Sequence, residues 1–327
     1  MNPGRRKTAV ALLSVFSNTA LVFLKLVVGF LIGSVSVMSE AIHSGVDLVA
    51  AVIALVAVRT SAKPADEKHP FGHGKFENIS GTVEAILIFA AAAWIIYEAV
   101  KKIVYPQAIE EPGWGILVMA ASAGANLAVS HLLFKVARQT DSVALEADGW
   151  HLRTDVYTSA GVMGGLGLIW IGERLAPGLG DWWHLVDPVA ALVVAALILK
   201  AAWHLTVTSA RDLMDVNLPE EEAQIQEVLR SFVPALHGYH RLRTRKAGAV
   251  RFVDFHIFVP GQMSVEDSHR LAHDVSQRIQ ETFAGTSVTV HVEPCTGNCA
   301  HGCLEGCLLS EAQREEMWRT RQFWKDG

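Results

Sequence analysis

Charged residues are scarce in this chain. Asp, Glu, Lys and Arg make up only 19% of its 327 residues, whereas 51% of the residues are hydrophobic. Globular soluble domains carry about 25% charged residues, so the composition excludes an ordinary soluble protein and favours a membrane protein. Basic residues do not outnumber acidic ones, and the formal net charge of −5 gives no reason to expect binding to nucleic acid.

Long apolar runs occupy the first two thirds of the chain. A helix rises about 1.5 Å per residue, so a run of about 20 residues crosses the hydrocarbon core of a bilayer. We predict six membrane-spanning helices, at Thr8–Ile32, Val35–Val58, Ile79–Val100, Gly115–Phe134, Val143–Trp170 and Leu185–Val207. Residues 1–207 are therefore interpreted as an all-α transmembrane domain.

Basic residues are unevenly distributed among the connections between these spans. Lys and Arg concentrate before the first span, between the second and third spans, and after the fourth. Because such residues accumulate on the cytoplasmic side of a membrane, we expect both termini in the cytoplasm. The chain is thus predicted to be an integral membrane protein surrounded by a lipid bilayer.

Beyond residue 207 the sequence takes on the pattern of a soluble domain. The predicted elements are a helix from Pro219 to about Phe232, strands at Leu242–Lys246 and Val250–Phe258, a helix from Ser264 to about Phe283, and a strand at Ser287–Glu293. This order predicts a small α+β domain, αββαβ, over residues 208–294. Residues 295–327 form an extension with a short helix, which a capping box from Ser310 to Gln313 is expected to start.

Two predicted spans carry the same short polar pattern. His43 precedes Asp47 by four positions in the second span, and His151 precedes Asp155 by four positions in the fifth. Positions i and i+4 share one face of a helix, so each pair directs an imidazole and a carboxylate the same way. An ionisable group at bilayer depth costs at least about 2.5 to 3.5 kcal/mol, which argues for function. The four side chains are therefore predicted to form one metal site in the membrane.

The donor set favours zinc, which prefers tetrahedral imidazole and carboxylate ligands. The same donors accept other divalent metals, so iron, cobalt, cadmium and manganese stay alternatives. An imidazole with an ordinary pKa of about 6.5 has to lose its proton before it binds metal. Metal loading should then release protons and unloading should recover them, which makes protons the expected coupling ion.

Other interpretations of these four side chains remain open. They could belong to a buried salt-bridge network that includes Arg153, to an intramembrane zinc metalloenzyme, or to a passive channel or metal-sensing receptor. The chain lacks a His-Glu-x-x-His motif, and four donors already complete a tetrahedron, which argues against the enzyme. A closed cage predicts tight capture and slow release, which argues against the channel.

The chain also resembles the cation diffusion facilitator family of divalent-metal/proton antiporters, from about residue 8 to residue 294. Besides the two His–Asp pairs, the resemblance rests on Gly33–Ser36, the loop Lys63–Lys75 and His291–Pro294. It implies a homodimeric transporter, not an enzyme. The transporter would export a divalent metal, zinc first of all, from the cytoplasm across a bacterial inner membrane in exchange for protons.

The loop between the second and third spans contains a second candidate metal site. Asp66, His69 and His73 offer suitable donors, while Gly72 and Gly74 disfavour a regular helix. The loop would therefore have to fold around an ion. The resemblance implies that a metal binds here weakly or serves regulation, and a solvated polar loop is the alternative.

The resemblance further implies cytoplasmic metal binding by five residues of the α+β domain, namely His240, His256, His269, His291 and Glu293. Alternate residues of a strand point to opposite faces, so Thr289 shares a face with His291 and Glu293, whereas three valines should face the core. Zinc bound there would be regulatory, because it would hold two domains together and make the dimer depend on metal. Ordinary surface histidines are the alternative.

Cysteine is confined to the extension, where it recurs every four residues at Cys295, Cys299, Cys303 and Cys307. Disulfides are rare in the cytosol, which leaves metal binding by thiolates and reduced surface thiols as alternatives. On a straight helix the outer two would lie about 18 Å apart, too far for one ion. Gly297, Gly302 and Gly306 favour a folded loop instead.

Overall fold

The structure is a computed structural model of the chain, and it describes residues 3–32, 35–105, 113–175, 185–297 and 304–325. Contacts divide the chain into two compact units, Met1–Leu213 and Met214–Gly327. The first unit is mainly helical, whereas the second combines helices with a small sheet.

The helices of the first unit are α1 (Pro3–Ile32), α2 (Val35–Ser61), α3 (Lys75–Val104), α4 (Gly113–Thr140), α5 (Val143–Leu175) and α6 (Val186–Leu213). Each predicted span coincides with one of them, except that Leu185 lies just before α6. In the described residues, all of these helices but α5 are long and apolar enough to cross a membrane. The first half of α5 carries charged residues such as Asp148 and Arg153, and membrane crossing by all six helices stays a prediction.

The first unit buries small residues and exposes large apolar ones. Alanines are almost completely buried at Ala54, Ala85, Ala92, Ala147, Ala195 and Ala202. Large apolar side chains are exposed at Phe16, Phe23, Phe30, Trp94 and Trp203. Small side chains let helix backbones approach closely, and a lipid solvent favours large apolar groups on the outside. The packing therefore agrees with a membrane domain.

The second unit confirms the predicted αββαβ order. Its elements are α7 (Pro219–Arg230), β1 (Gly238–Ala247), β2 (Val250–Pro260), α8 (Val265–Thr282), β3 (Ser287–Cys295) and α9 (Glu311–Lys325). The strands form a sheet in the order β1-β2-β3, in which β2 pairs antiparallel with β1 and parallel with β3. Both hairpin strands are longer than predicted, and β1 begins four residues before the expected Leu242.

One face of the sheet carries the core of the second unit. Ile225, Phe255, Ile257, Val275 and Ile279 are buried there. The three valines that alternate with the polar residues of β3 pack against this core, as predicted from the two-residue period. The opposite face of the sheet is therefore left for polar side chains.

The extension ends in the predicted helix α9, and its capping box is confirmed. The backbone N–H of Gln313 donates to Oγ of Ser310 at 3.3 Å, while the N–H of Ser310 donates to Oε1 of Gln313 at 2.9 Å. Two N–H groups that a helix start leaves unpaired are thus satisfied. Cys299 and Cys303 lie outside the described residues.

Candidate metal centres

Helices α2 and α5 bring the two predicted His–Asp pairs together, and they do so crosswise. Nε2 of His151 lies 3.1 Å from Oδ1 of Asp47, and Nε2 of His43 lies 3.7 Å from Oδ1 of Asp155. One donor atom from each of His43, Asp47 and Asp155 lies within 4.8 Å of the others. We call His43, Asp47, His151 and Asp155 the cage.

The cage is buried on one side and open on the other. The side chains of Asp47 and His151 are 5% and 6% exposed, whereas that of His43 is 51% exposed. His43, Asp47 and Asp155 line a cavity of about 540 Å³. A cavity of this size falls in the range of small-molecule sites, and the three donors are reachable from that side.

Two polar side chains beside the cage were not predicted from the sequence. Nδ2 of Asn126 on α4 donates to Oδ2 of Asp155 at 3.3 Å, and Nζ of Lys25 on α1 donates to Oγ of Ser44 at 2.8 Å. Both residues line the same cavity as the cage. A hydrogen bond of this kind fixes the orientation of a metal-binding carboxylate. Their polarity within otherwise apolar runs was the signal that could have identified them.

Arg153 does not join the cage into a salt-bridge network. Its guanidinium lies over the Phe134 ring, 5.6 Å from the centroid. Within the described residues, Nε of Arg153 is buried without a hydrogen-bond partner. The alternative of a structural network through this arginine therefore has no support.

Other buried carboxylates of the first unit differ in how well they are paired. Glu77 receives hydrogen bonds from Ser61 and Ser142 and from Nζ of Lys7, the last at 2.8 Å. Asp148 is completely buried, and neither of its oxygens has a hydrogen-bond partner among the described residues. Sequence reasoning did not identify Glu77, because partners such as Lys7 and Ser142 are distant along the chain.

The loop between α2 and α3 folds around Asp66. Its oxygens lie 3.3 Å from Nδ1 of His69 and 3.4 Å from Nε2 of His73, and we call these three residues the loop cluster. The backbone N–H of His69, followed by that of Lys68, lowers the pKa of Asp66 below its usual value. Gly72 has a φ of +82°, which only glycine adopts readily and which agrees with the expected absence of a helix.

The polar face of the sheet gathers four of the five residues expected there. Glu293 lies 2.6 Å from Nδ1 of His256, 3.2 Å from Nε2 of His240 and 3.7 Å from Nε2 of His291. We call these four residues the sheet cluster. His269 is exposed on α8 and is not a member of the groups of three or more donors found in the described residues.

The register of the sheet explains this arrangement. His240 pairs with His256, and His256 pairs with His291, so the three imidazoles form a row across the strands. Burial alone would raise the pKa of Glu293. The hydrogen bond from His256 and the charge of His240 outweigh it, and the pKa lies below its usual value. An ionised carboxylate among imidazoles is a suitable donor set for zinc.

Two family models match the chain, one over each unit. The model described as the cation efflux transmembrane domain matches residues 11–214. The model described as the cytoplasmic domain of a cation efflux protein matches residues 218–295. The matched residues include the cage, the loop cluster and the sheet cluster.

Individual relatives are similar over nearly the whole chain. An uncharacterized transporter of Synechocystis sp. is 36% identical over 287 residues, 87% of this chain and 89% of that protein. The cation-efflux pump FieF of Citrobacter koseri is 31% identical over 294 residues, 90% of this chain and 94% of that pump. The solved metal-bound C-terminal domain of the CzcD transporter from Thermotoga maritima is 35% identical, covers 23% of this chain and 88% of its own, and has a TM-score of 0.23.

Proposed function

Because the chain belongs to the cation diffusion facilitator family, we propose that it exports zinc from the cytoplasm in exchange for protons. The observation that carries this proposal is the cage, in which each histidine of one helix faces the aspartate of the other. Two imidazoles and two carboxylates provide the tetrahedral set that zinc prefers. Iron, cobalt, cadmium and manganese are the alternative cargoes.

Proton exchange follows from the contacts within the cage. Nε2 of His151 and Oδ1 of Asp47 share one hydrogen bond across 3.1 Å. A metal ion that binds both atoms displaces the proton between them, and release of the metal lets a proton return. Cargo and proton therefore compete for the same atoms, which is the chemical requirement of an antiporter rather than of an enzyme.

We infer that all six helices cross the membrane and that both termini lie in the cytoplasm. The polar first half of α5 supports this topology because Asp148 is completely buried and the side chain of Asp155 is 16% exposed, so both carboxylates face other helices. A bacterial inner membrane is the proposed location, since the FieF relative is bacterial. Helices that rock about the cage would expose it to each side in turn.

The second unit is proposed to bind regulatory zinc and to form the contact of a homodimer. The sheet cluster offers the donors, and residues 218–295 match the cytoplasmic domain of cation efflux proteins, whose family resemblance implies a homodimer. The loop cluster is proposed as a weaker site, because Asp66 and His69 are exposed. Metal on the sheet would then set dimer stability according to the cytoplasmic concentration of the ion.

Transport into proteoliposomes tests the proposal. Purified protein should accumulate zinc when a proton gradient is imposed, and uptake of iron, cobalt, cadmium and manganese measured in the same vesicles gives the selectivity. Asp155→Ala should abolish uptake, whereas the matched loop variant Asp66→Ala should retain much of it. Zinc uptake by Asp155→Ala would overturn the assigned site. Uptake that is indifferent to the gradient would overturn antiport and favour a channel.

A further inference from the structure

A lysine of α1 is buried inside the helix bundle beside the cage. Lys25 is 4% exposed, and its Nζ donates to Oγ of Ser44 on α2 at 2.8 Å. Ser44 is itself 3% exposed. Placing an ionisable side chain inside a membrane-spanning helix is costly, and such residues mark functional positions. The hydrogen bond holds the ammonium group of Lys25 against α2.

Ser44 places this ammonium group close to the donors of the cage. Ser44 directly follows His43 and precedes Asp47 by three positions, and residues three apart are neighbours on the surface of a helix. Lys25 and Ser44 line the same cavity of about 540 Å³ as His43, Asp47 and Asp155. Among the described residues that line this cavity, Lys25 is the only lysine or arginine. A dication in the cage would therefore have one positively charged side chain as a near neighbour.

The cavity lies toward one end of the first unit. Its lining residues come mainly from the second halves of α1 and α3, the first halves of α2 and α4, and the middle of α5. In the topology proposed above, with both termini in the cytoplasm, these halves lie on the side of the membrane away from the cytoplasm. Lys25 therefore lies on the side from which the exporter releases its cargo.

A positive charge at this position acts on both states of the cage. The two carboxylates of the cage balance the two charges of a zinc ion, so a nearby ammonium group leaves the occupied site with an excess of positive charge. In the empty cage, the same ammonium group partly balances the carboxylates. Buried charges interact more strongly than exposed ones and are screened less by salt. Both effects weaken metal binding relative to a neutral side chain.

On the basis of the proposed function, we propose that Lys25 sets the affinity of the cage for its cargo. Its positive charge weakens binding of the dication from the outer side and speeds release there. Ser44 has the complementary role, because its hydrogen bond keeps the ammonium group from moving onto the carboxylates of the cage. Lys25 is thus an affinity-setting residue and not a metal ligand.

Calorimetric zinc titration of the full-length protein in detergent tests this role. The background protein carries Asp66→Ala and His256→Asn, which remove one donor each from the loop cluster and the sheet cluster, and its four cysteines are replaced by serine. Zinc binding that Asp155→Ala abolishes in this background belongs to the cage. Lys25→Met removes the charge, and zinc should then bind about fivefold more tightly or better, since even weak Coulomb interactions have this size.

Two further variants separate charge from shape at the same position. Lys25→Gln removes the charge and retains a hydrogen-bond donor for Ser44, so it should tighten zinc binding as Lys25→Met does. Lys25→Arg retains the charge and should change the affinity much less. In proteoliposomes, the two neutral variants should lower both KM and the turnover number for zinc, because tightly bound cargo leaves slowly.

Ser44→Ala is the control for a purely structural role. It removes the other partner of the hydrogen bond but leaves the charge, and the freed ammonium group can then approach the carboxylates of the cage. Zinc should therefore bind more weakly to Ser44→Ala and more tightly to Lys25→Met. A hydrogen bond that only stabilised the packing of α1 on α2 would shift the affinity of both variants in the same direction.

Three results would overturn the role of Lys25. They are unchanged or weaker zinc binding in both neutral variants, equal tightening in Lys25→Arg, and a shift of Ser44→Ala in the same direction as Lys25→Met. In each case, cage binding that still depends on Asp155 would leave the proposed transport function intact. Zinc binding that Asp155→Ala does not reduce would overturn the cage itself, and the role of Lys25 with it.

Discussion

The cage and the sheet cluster use the same donor types, but only the cage has almost completely buried members. The side chains of Asp47 and His151 are 5% and 6% exposed, whereas the most buried side chain of the sheet cluster, that of His256, is 19% exposed; on the open side of the cage, His43 is 51% exposed. An exposed cluster can exchange metal with solvent without moving its backbone. A buried cluster needs a helix movement before its metal can be reached from the other side of the membrane.

Both clusters combine histidine and carboxylate donors. The difference in burial separates the two functions proposed for them, transport and regulation. Low dielectric surroundings strengthen each charge contact in the cage, and they make an unpaired charge there costly. The sheet cluster is screened by water, so loss of one donor changes its affinity without endangering the fold. In the proposed function, burial more than donor identity distinguishes the cage, which is assigned to transport, from the sheet cluster, which is assigned to sensing.

The largest expected effect follows from neutralising one buried donor. Asp47→Asn keeps the shape of the side chain but removes the charge that faces His151, so the cage loses a metal ligand. Zinc transport should fall by more than about a hundredfold, beyond the loss caused by supporting groups. Uptake into proteoliposomes measures it.

His256→Asn is the matched change in the sheet cluster. It should leave transport by the cage measurable and shift only the zinc concentration at which transport responds. If both variants lose transport to the same extent, the proposed division between a transport site and a regulatory site is wrong.

A second comparison concerns Glu77, a buried carboxylate outside the cage. Glu77 is as buried as Asp47, but Lys7 and two hydroxyl groups already satisfy it. Lys7→Met would leave this carboxylate without its cation, and the free energy of unfolding should fall by about 3 kcal/mol, the low end for a broken buried pair. Equilibrium unfolding in mixed micelles measures the change.

The double variant Lys7→Met/Glu77→Leu should recover most of that stability, because it removes both charges together. A single-variant loss below about 1 kcal/mol, typical of an exposed ion pair, would show that burial of Glu77 is not what makes the contact matter.

A smaller effect on zinc binding is expected from Asn126, which contacts the cage without belonging to it. Asn126→Ala removes the amide that holds Oδ2 of Asp155, without removing a ligand. Zinc affinity of the membrane site should fall by about tenfold, because the hydrogen bond is long and the carboxylate remains. Ser130→Ala on the same helix is the control, since the hydroxyl of Ser130 bonds only to its own helix at Leu127. Equal losses in both variants would contradict a supporting role for Asn126.

Sequence periodicity was enough to predict the helices of the first unit and the two His–Asp pairs that α2 and α5 bring together. The i, i+4 spacing places each imidazole beside its own carboxylate, but it cannot show that His151 faces Asp47 and that His43 faces Asp155. Lys25 and Asn126 were not predicted, because their roles depend on helices that meet only in the folded chain.

The boundary of β1 shows a different limit. The pairing of β1 with β2 is irregular between His240 and Arg243, and Arg241 has a φ of +52°. A bulge of this kind interrupts the two-residue alternation by which a strand is recognised. The predicted strand therefore began within the irregularity, at Leu242, and His240 was assigned to the site by family resemblance without its place on the sheet.

The smallest expected effect concerns Glu293 of the sheet cluster. The pKa of Glu293 lies below its usual value of 4.5, so its ionised form is stabilised more in the folded protein than in the unfolded one. This contribution to stability is present above the unfolded pKa and is lost as pH falls through the lowered folded pKa. In protein freed of metal by a chelator, Glu293→Gln should lower the unfolding temperature of the second unit slightly at about pH 6, where the carboxylate of Glu293 is ionised.

Calorimetry at a second, lower pH completes the test, because the difference between Glu293→Gln and wild type should shrink as pH falls through the lowered pKa of Glu293 in the folded protein. Glu281→Gln makes the same change of charge on the exposed face of α8, where the pair with Arg278 is open to water, and it should alter the unfolding temperature less. If the two variants behave alike at both pH values, the imidazoles around Glu293 do not stabilise it. The sheet cluster would then owe its geometry to strand register alone, and only bound metal would distinguish it from ordinary surface histidines.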